Sequence, residues 1–302
     1  MKFLVWNLEN LFLVPHLKSS YNQPLKPQKK VEQIIAIIND LDPDVLFLCE
    51  VGGEDSLIKL KSSLQDEYFH FYTEGNSDRG IGLGFLIRKS FSHTKFFCHT
   101  DVILPAISVE DRKSPRKFSR DVAELWLTTK DPKEPTLIIF GVHLKSAQDR
   151  TGGDHRGFRQ RSAEVRGLVT LIKQRQIQFP NTPIWFVGDF NGLAAGEKID
   201  PEFEHLHAQL PHYEDLLIRL DIPKQQRWTF AMSFQQDKSL PSQLDYFFIP
   251  AMTPTPDQSH SGVVQLWQRL GNNAGPAKSA FERDLWPSDH LPLLATWDEM
   301  PF

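Results

Sequence analysis

Hydrophobic positions along the chain follow two rhythms. Residues 1–8, 45–50, 68–73, 82–88, 94–99, 122–128, 136–144, 184–189, 244–249, 263–267 and 291–297 are short runs of β-branched, aromatic and aliphatic side chains, and they predict strands. Val31, Ile34, Ile35 and Ile38 instead recur at helical spacing and predict a helix over residues 30–40. Asp42-Pro43-Asp44 ends it, because proline biases the residue before it away from helical angles. Leu57, Leu60 and Leu64 mark a second helix, and Val165, Leu168, Val169 and Ile172 a longer third one. The polar stretches 110–120 and 145–157, the latter containing Gly152-Gly153, and the Pro/Thr-rich stretch 253–258 predict loops.

Strands outnumber helices, and the helices come singly after groups of strands. That order predicts sheet packed on sheet with helices outside, a layered α+β arrangement. The two halves echo each other weakly, since each has a strand ending in polar residues followed by a helix. No short-period repeat, linker or composition break divides the chain, so one domain over 1–302 is expected. With 302 residues, 40% of them hydrophobic, it can bury a large core.

Two cysteines, Cys49 and Cys98, exclude a disulfide framework or a cysteine zinc cage. No segment approaches the ~18 uninterrupted apolar residues of a membrane helix. Asn7, Glu9 and Asn10 interrupt the first apolar run, so it does not read as a signal peptide. A cytoplasmic monomer without a membrane partner is the expectation. The formal net charge of -4 means that any polyanion must be met by a local basic patch.

Six of the hydrophobic runs border abruptly on groups suited to metal or phosphate. Trp6-Asn7-Leu8-Glu9-Asn10 ends the first and Leu48-Cys49-Glu50 the second. Gly141-Val142-His143-Leu144-Lys145-Ser146 closes a middle strand, and Gly188-Asp189-Phe190-Asn191-Gly192 follows another. Gln243-Leu244-Asp245-Tyr246 opens a late strand, and Pro287-Ser288-Asp289-His290 precedes the last. In Asn7/Glu9 and Asp189/Asn191 the pair is separated by one residue, so on an extended chain both members share a face and can point into one cleft. Carboxylate oxygens suit hard Mg²⁺ or Mn²⁺. Amides bind phosphate oxygens without adding a repelling charge. A histidine next to an aspartate, with a second aspartate elsewhere, makes an imidazole oriented by a carboxylate. One such motif can be a turn or a cap; six of them, each at a strand end, are not explained that way.

Taken in order, Trp-Asn-Leu-Glu-Asn, Leu-Cys-Glu, Gly-Val-His-Leu-Lys-Ser, Gly-Asp-Phe-Asn, Leu-Asp-Tyr-Phe and Ser-Asp-His-Leu-Pro-Leu resemble the endonuclease/exonuclease/phosphatase superfamily, from Trp6 to Leu293. That superfamily includes pancreatic-type deoxyribonuclease, abasic-site endonucleases, inositol polyphosphate phosphatases and neutral sphingomyelinases. The resemblance implies a four-layer α/β/β/α sandwich, two packed and mainly antiparallel sheets flanked by helices, with the site at one edge. It also implies Mg²⁺- or Mn²⁺-dependent attack of water on phosphorus. By the same resemblance Glu50 is the principal metal ligand, Glu9 a second acidic ligand, and Asp289 lies beside the metal. Asn7 and Asn191 hold the phosphate or the nucleophile. Asp189 orients or deprotonates the attacking water, His290 pairs with Asp245, and His143 lies near the scissile phosphate. Arg120 resembles a phosphate-contacting arginine of the deoxyribonuclease branch. Lys145 with Ser146 resembles bacterial nuclease-like members, which adds Lys145 to the phosphate contacts.

The substrate is less sharply written. Gly52, followed by Gly53, stands where many members place a lysine, and Gln243 where many place a basic residue, both departures from the abasic-site branch. Two basic stretches favour a nucleic acid substrate: Arg112, Lys113, Arg116, Lys117 and Arg120, and then Lys145, Arg150, Arg156, Arg159, Arg161 and Arg166, the second diluted by Asp149, Asp154 and Glu164. A phosphatase or phosphodiesterase acting on a small molecule or lipid headgroup is the alternative, and an inactive binding protein of the same fold a third. A long basic groove distinguishes the first from the closed pocket of the second.

Overall fold

The computed structural model describes residues 1–16, 23–91, 93–128, 134–147, 153–231, 241–266, 282 and 284–301. Asp149, Arg150, Gly152 and Trp267 lie outside them. The strands are β1 (Lys2–Leu11), β2 (Val45–Val51), β3 (Tyr68–Thr73), β4 (Gly82–Arg88), β5 (His93–Cys98), β6 (Val122–Thr128) and β7 (Leu137–His143). They continue with β8 (Ile184–Asp189), β9 (Tyr213–Asp215), β10 (Phe230–Ala231), β11 (Pro241–Ser242), β12 (Asp245–Pro250), β13 (Gly262–Val263) and β14 (Leu293–Thr296). The helices are α1 (Gln28–Leu41), α2 (Glu54–Ser62), α3 (Val109–Lys113), α4 (Phe158–Gln178), α5 (Glu204–Gln209) and α6 (Leu216–Arg219).

Two six-stranded mixed sheets result, in the orders β13-β14-β1-β2-β4-β3 and β5-β6-β7-β8-β12-β9. Each contains one parallel pair, β1 with β2 and β7 with β8. A parallel pair needs a long crossover, and α1 and α4 supply it. The weak echo between the halves of the sequence is this repeated strand–helix–strand unit.

Period-two alternation sends each strand's side chains to two different cores. Leu4, Trp6, Leu8, Leu46 and Leu48 pack with α1 and α2. Ile138, Phe140, Ile184, Phe186 and Phe248 pack with α4. The intervening residues, among them Phe3, Val5, Phe47, Ile139, Trp185, Val187 and Phe247, fill the space between the sheets. Helix, sheet, sheet and helix thus give the expected four layers. α1 stops as the sequence predicts: Asp42, just before Pro43, turns left-handed (φ 51°), and its N–H bonds Ile38 O.

Several elements differ from the sequence reading. The polar stretch 110–120 is not all loop, since α3 occupies its start. The strand expected at 263–267 is reduced to Gly262–Val263, and the last strand to Leu293–Thr296. Leu64 lies beyond the end of α2, yet packs against the same core. The elements α5, β9, α6, β10 and β11 span six residues or fewer, too short to show a period.

At one end the sheets approach closely. A Cβ on Gly141 would lie 2.1 Å from Phe47 Cε2, in the opposite sheet. Gly141→Ala should therefore overpack this contact and lower unfolding free energy by about 1–3 kcal/mol in chemical denaturation. A stability equal to wild type would mean that the aromatic ring yields freely.

Asp215 offers a second stability test. Burial pushes its carboxyl up from 3.8 to about 6, against the opposing hydrogen bond from Gln243 Nε2 at 3.0 Å. Between those values the folded state binds the proton that the unfolded chain has released, so this group's contribution falls as pH rises from about 4 to 6. Above that window the cost is about 3 kcal/mol. Asp215→Asn should raise Tm above pH 6 and change it little below pH 4; a gain that does not vary with pH would show a different cause.

Candidate active site

The residues that line up between the sheets continue past the apolar core into polar groups. Phe3 and Val5 lead to Asn7, Ile139 and Gly141 to His143, Trp185 and Val187 to Asp189, and Ile249 and Phe247 to Asp245. Strand register aligns them: His143 is opposite Asp189, and Asp189 is opposite Asp245. The side chains that would have been the next layer of core are instead the floor of a cleft.

That floor is tightly bonded. Asn7 Nδ2 donates to Asp189 Oδ2 across the two sheets at 3.0 Å. The Asn191 backbone N–H donates to Asp189 Oδ1 at 2.8 Å, while its Nδ2 is anchored on Leu144 O at 3.1 Å. His143 Nε2 is 3.4 Å from Asp189 Oδ2, and His290 Nε2 3.9 Å from the same oxygen. His290 Nδ1 is bonded to Asp245 Oδ2 at 2.7 Å. The turn carrying His290 is pinned to β1 by Ser288 Oγ donating to Asn7 O and by Trp6 Nε1 donating to His290 O.

The rim is built from strained backbone. Glu9 (φ 45°), Asn10 (φ 55°), Glu50 (φ 60°) and Asn191 (φ 53°) are all left-handed without being glycine. Bulges in β1 between Asn7 and Leu11, and in β2 between Cys49 and Val51, bring Glu9 and Glu50 into the wall of the cleft. The Asn10 N–H holds Glu50 Oε2 at 3.0 Å. Lys26 ties the β1 bulge from behind, donating to the carbonyls of Leu8 and Glu9 at 2.9 and 2.7 Å. Burial lowers its ammonium to about 8, partly offset by Glu9.

The resulting cleft of about 310 Å³ is lined by Asn7, Glu9, Glu50, Arg120, His143, Asp189, Asn191, Asp289 and His290. Asp245 stands behind His290 rather than on the surface of the cleft, and Lys145 lines the adjoining cavity. Glu9 is also paired with Lys30 at 3.7 Å and Lys26 at 4.0 Å. Arg79, Asn10, Gln23, Ser146 and Phe230 complete the lining. Asn10 and Ser146 stood inside motifs, but Arg79 carried no signal beyond being an arginine between two strands.

Electrostatics separate the two histidines. Burial, with Arg120 and His290 nearby, holds the His143 imidazole well below its usual pKa, so it is neutral. Burial opposes the charge of His290 too, but Asp245 and Asp189 outweigh it and hold the imidazolium well above its usual range. Asp189 is pushed up to about 7 by burial, opposed by His290 and assisted by Asp245. Ligand-type atoms of Asp189, Asp245 and His290 lie within 4.8 Å of one another, a group that could hold a metal ion.

The basic stretches separate as well. Arg116 Nε is paired with Asp111 at 2.6 Å, Lys117 with Asp101 at 2.5 Å, and Arg161 is buried on Glu202. Arg120 reaches inward, its Nη1 donating to Leu144 O at 3.0 Å. Only part of the charge seen in the sequence therefore faces the cleft.

A sandwich of this kind, with such a cluster at one edge, defines a phosphoesterase site. The model of the Endonuclease/Exonuclease/phosphatase family matches residues 4–290, and the chain belongs to that family. It is a metal-dependent phosphoesterase of that superfamily. No curated protein matches the sequence. Among solved structures, truncated Caenorhabditis elegans TDP2 aligns with TM-score 0.61 at 16% identity, covering 97% of this chain and 96% of that one. D. rerio TDP2 complexed with a single strand DNA product aligns at 0.61 and 18%, covering 98% and 97%. The human Nocturnin catalytic domain with a bound sulfate anion aligns at 0.59 and 18%, covering 98% and 92%.

If Asp245 and His290 act as one unit, Asp245→Asn should mis-set the imidazole and reduce kcat about 10²–10⁴-fold. His290→Ala should cost at least as much, and the double mutant little more than His290→Ala alone. Additive losses in kcat would break the pairing.

Proposed function

We propose that this protein is a Mg²⁺- or Mn²⁺-dependent phosphodiester hydrolase that cleaves a nucleic acid strand. The observation that carries this reading is the continuity of the cleft. It shares Arg79, Arg120 and Ser146 with a cavity of about 600 Å³ on one side, and Ser146, Asn191, Phe230 and His290 with one of about 780 Å³ on the other. The site is thus the narrow middle of a groove, which suits a strand better than a compact headgroup. Arg79, Arg116, Lys117, Arg120 and Lys145 line one side, where they outnumber Asp78 and Asp154, and Arg156 and Lys198 lie beside Asp200 and Glu202 on the other. That local charge favours a polyanion despite the net negative chain. The DNA product held by the D. rerio structure of the same fold supports the same choice.

The donor set fits a hard divalent cation: the carboxylates of Glu50 and Asp289 line the cleft, and the Asn10 N–H fixes the former. Bound there, the cation would neutralise charge on the phosphoryl group. Asp289 and Glu9 are assigned as acidic neighbours of that position, Glu9 within its lysine pairs.

The remaining steps are assigned to the protein's own groups. Asp189, oriented by Asn7 and Asn191, takes the proton of the attacking water as the new O–P bond forms. A carboxyl raised to about 7 is a base matched to neutral pH. The neutral His143 imidazole lies 3.4 Å from Asp189 Oδ2, the oxygen that Asn7 also holds, and adds no charge of its own there. The His290 imidazolium, kept charged by Asp245, faces the developing phosphoryl charge, joined by the Arg120 guanidinium. The bond to the leaving oxygen breaks opposite the water, and that oxygen takes its proton from solvent at the open end of the cleft.

EDTA should abolish hydrolysis of single-stranded DNA, RNA and bis-p-nitrophenyl phosphate, and Mg²⁺ or Mn²⁺ should restore it. Glu50→Gln should weaken metal binding in calorimetry and reduce turnover by at least about 10²-fold with Tm retained. Undiminished activity in EDTA would remove the metal from the mechanism. Turnover of a monoester or headgroup substrate with none on any polynucleotide would replace the nuclease reading by the small-molecule one.

A further inference from the structure

The cations beside the cleft are committed to different degrees. Arg116 and Lys117 are matched at 2.6 and 2.5 Å by the carboxylates of Asp111 and Asp101. Arg79 Nη2 donates to the neutral amide oxygen of Asn10 and lies 3.6 Å from Glu50 Oε2. A charge-assisted hydrogen bond is ~2.7–2.9 Å long. The pair with Glu50 is therefore one that a phosphate oxygen can replace. Arg79 also lines both the 310 Å³ cleft and the 600 Å³ cavity beside it, so one guanidinium faces both spaces.

The wall carrying Arg79 is rigid. Its loop is locked to the segment bearing Arg120: Asn76 N–H donates to Arg120 O at 2.7 Å, and Asn76 Nδ2 donates to Thr100 O and Phe118 O at 2.8 and 2.9 Å. Gly75 (φ +63°) lies so near that a Cβ would be 2.3 Å from Arg120 O. Arg79 and Arg120 thus reach the same boundary from two segments held in fixed relation, with Lys145 lining the cavity beyond.

We infer that the 600 Å³ cavity is a subsite for a second phosphate group of the substrate, and that Arg79 is the specificity-determining cation between this group and the scissile phosphate. The ligand class is an oligonucleotide, or a dinucleotide bearing a terminal phosphate, rather than an isolated phosphodiester. The inference rests on the phosphodiester-hydrolase reading and narrows it. Two phosphates on one strand repel each other, and a fork of donors facing both spaces relieves that repulsion at the step where the strand bends into the cleft.

The test compares a plain dinucleotide with the same dinucleotide phosphorylated at its 5′ or its 3′ end, in Mg²⁺. One phosphorylated form should be cleaved with kcat/KM at least about tenfold higher, mainly through KM, as expected for a charge-assisted contact. Arg79→Met should collapse that ratio toward one, and Arg79→Lys should retain part of it. In EDTA, calorimetry should show the preferred form binding wild type more tightly than the plain dinucleotide, a difference lost in Arg79→Met. Equal kcat/KM for all three dinucleotides, or a preference that survives Arg79→Met, overturns the subsite while leaving the hydrolase reading intact. Cleavage of none of them while single-stranded DNA or RNA is cut overturns the subsite alone; cleavage of no dinucleotide and no polynucleotide, with metal present, overturns both. Should Arg79→Met fail to fold, the wild-type ratio and Arg79→Lys decide.

Discussion

The 3.0 Å hydrogen bond from Asn7 in one sheet to Asp189 in the other is the contact on which the site depends. It can form only if the sheets close to hydrogen-bonding distance at that edge, and bare Gly141 under the Phe47 ring permits this. Above it, the row of side chains between the sheets changes from aromatic and aliphatic to amide, imidazole and carboxylate. The same alternation that builds the core therefore aims the polar groups of the cleft. An Asn7 on the other face of β1 would sit among Trp6 and Leu8, in the layer under the helices.

Burying that many ionisable groups is costly unless they are paired. The solution is a division of charge. His290 is held as a cation between two aspartates, His143 is neutral, and Asp189 is near the midpoint of its titration. Each state follows from neighbours fixed by strand register. Strain at the rim has the same logic: four left-handed residues that are not glycine tilt Glu9, Asn10, Glu50 and Asn191 toward the cleft, and Lys26, wedged behind the β1 bulge, keeps two of those turns in place.

Much of this was legible from residue order. Strand ends at Asn7, Glu50, His143 and Asp189, the strand start at Asp245, and His290 ahead of the last strand are positions where a period-two pattern breaks into polar groups, and the fold gathers them. The helices α1 and α4 were visible because their apolar faces repeat over three or more turns. What stayed hidden has physical causes. Arg79 gains its place from a loop lock between Asn76 and Arg120 that spans 44 positions and leaves no local pattern. The clustered arginines looked equivalent in sequence, yet Arg161 is spent on Glu202 and Arg116 on Asp111, carboxylates 41 and 5 positions away. Lys26 carried no signal in the sequence, because burial of its ammonium depends on a bulge that no propensity announces.

The two flanks of the cleft differ in kind, and that difference would constrain how a strand lies in the proposed nuclease. On the side of Arg79, Arg120 and Lys145 the lining is polar and cationic. On the side of Phe230, the cavity mixes Phe158, Leu193, Pro201 and Leu244 with Arg156 and Lys198. Phe230 stands against the His290 ring, with centroids 4.9 Å apart, so the aromatic wall begins at that imidazole itself. A nucleotide has the same two faces, a charged backbone and a flat base with little charge. Stacking a base on an aromatic side chain is worth about 1–3 kcal/mol, comparable to a good phosphate contact. Under the proposed nuclease function, the arrangement that would satisfy both flanks puts backbone on the arginine side and a base on the phenylalanine side. On the same proposal the scissile phosphate would lie where they meet, over Asp189.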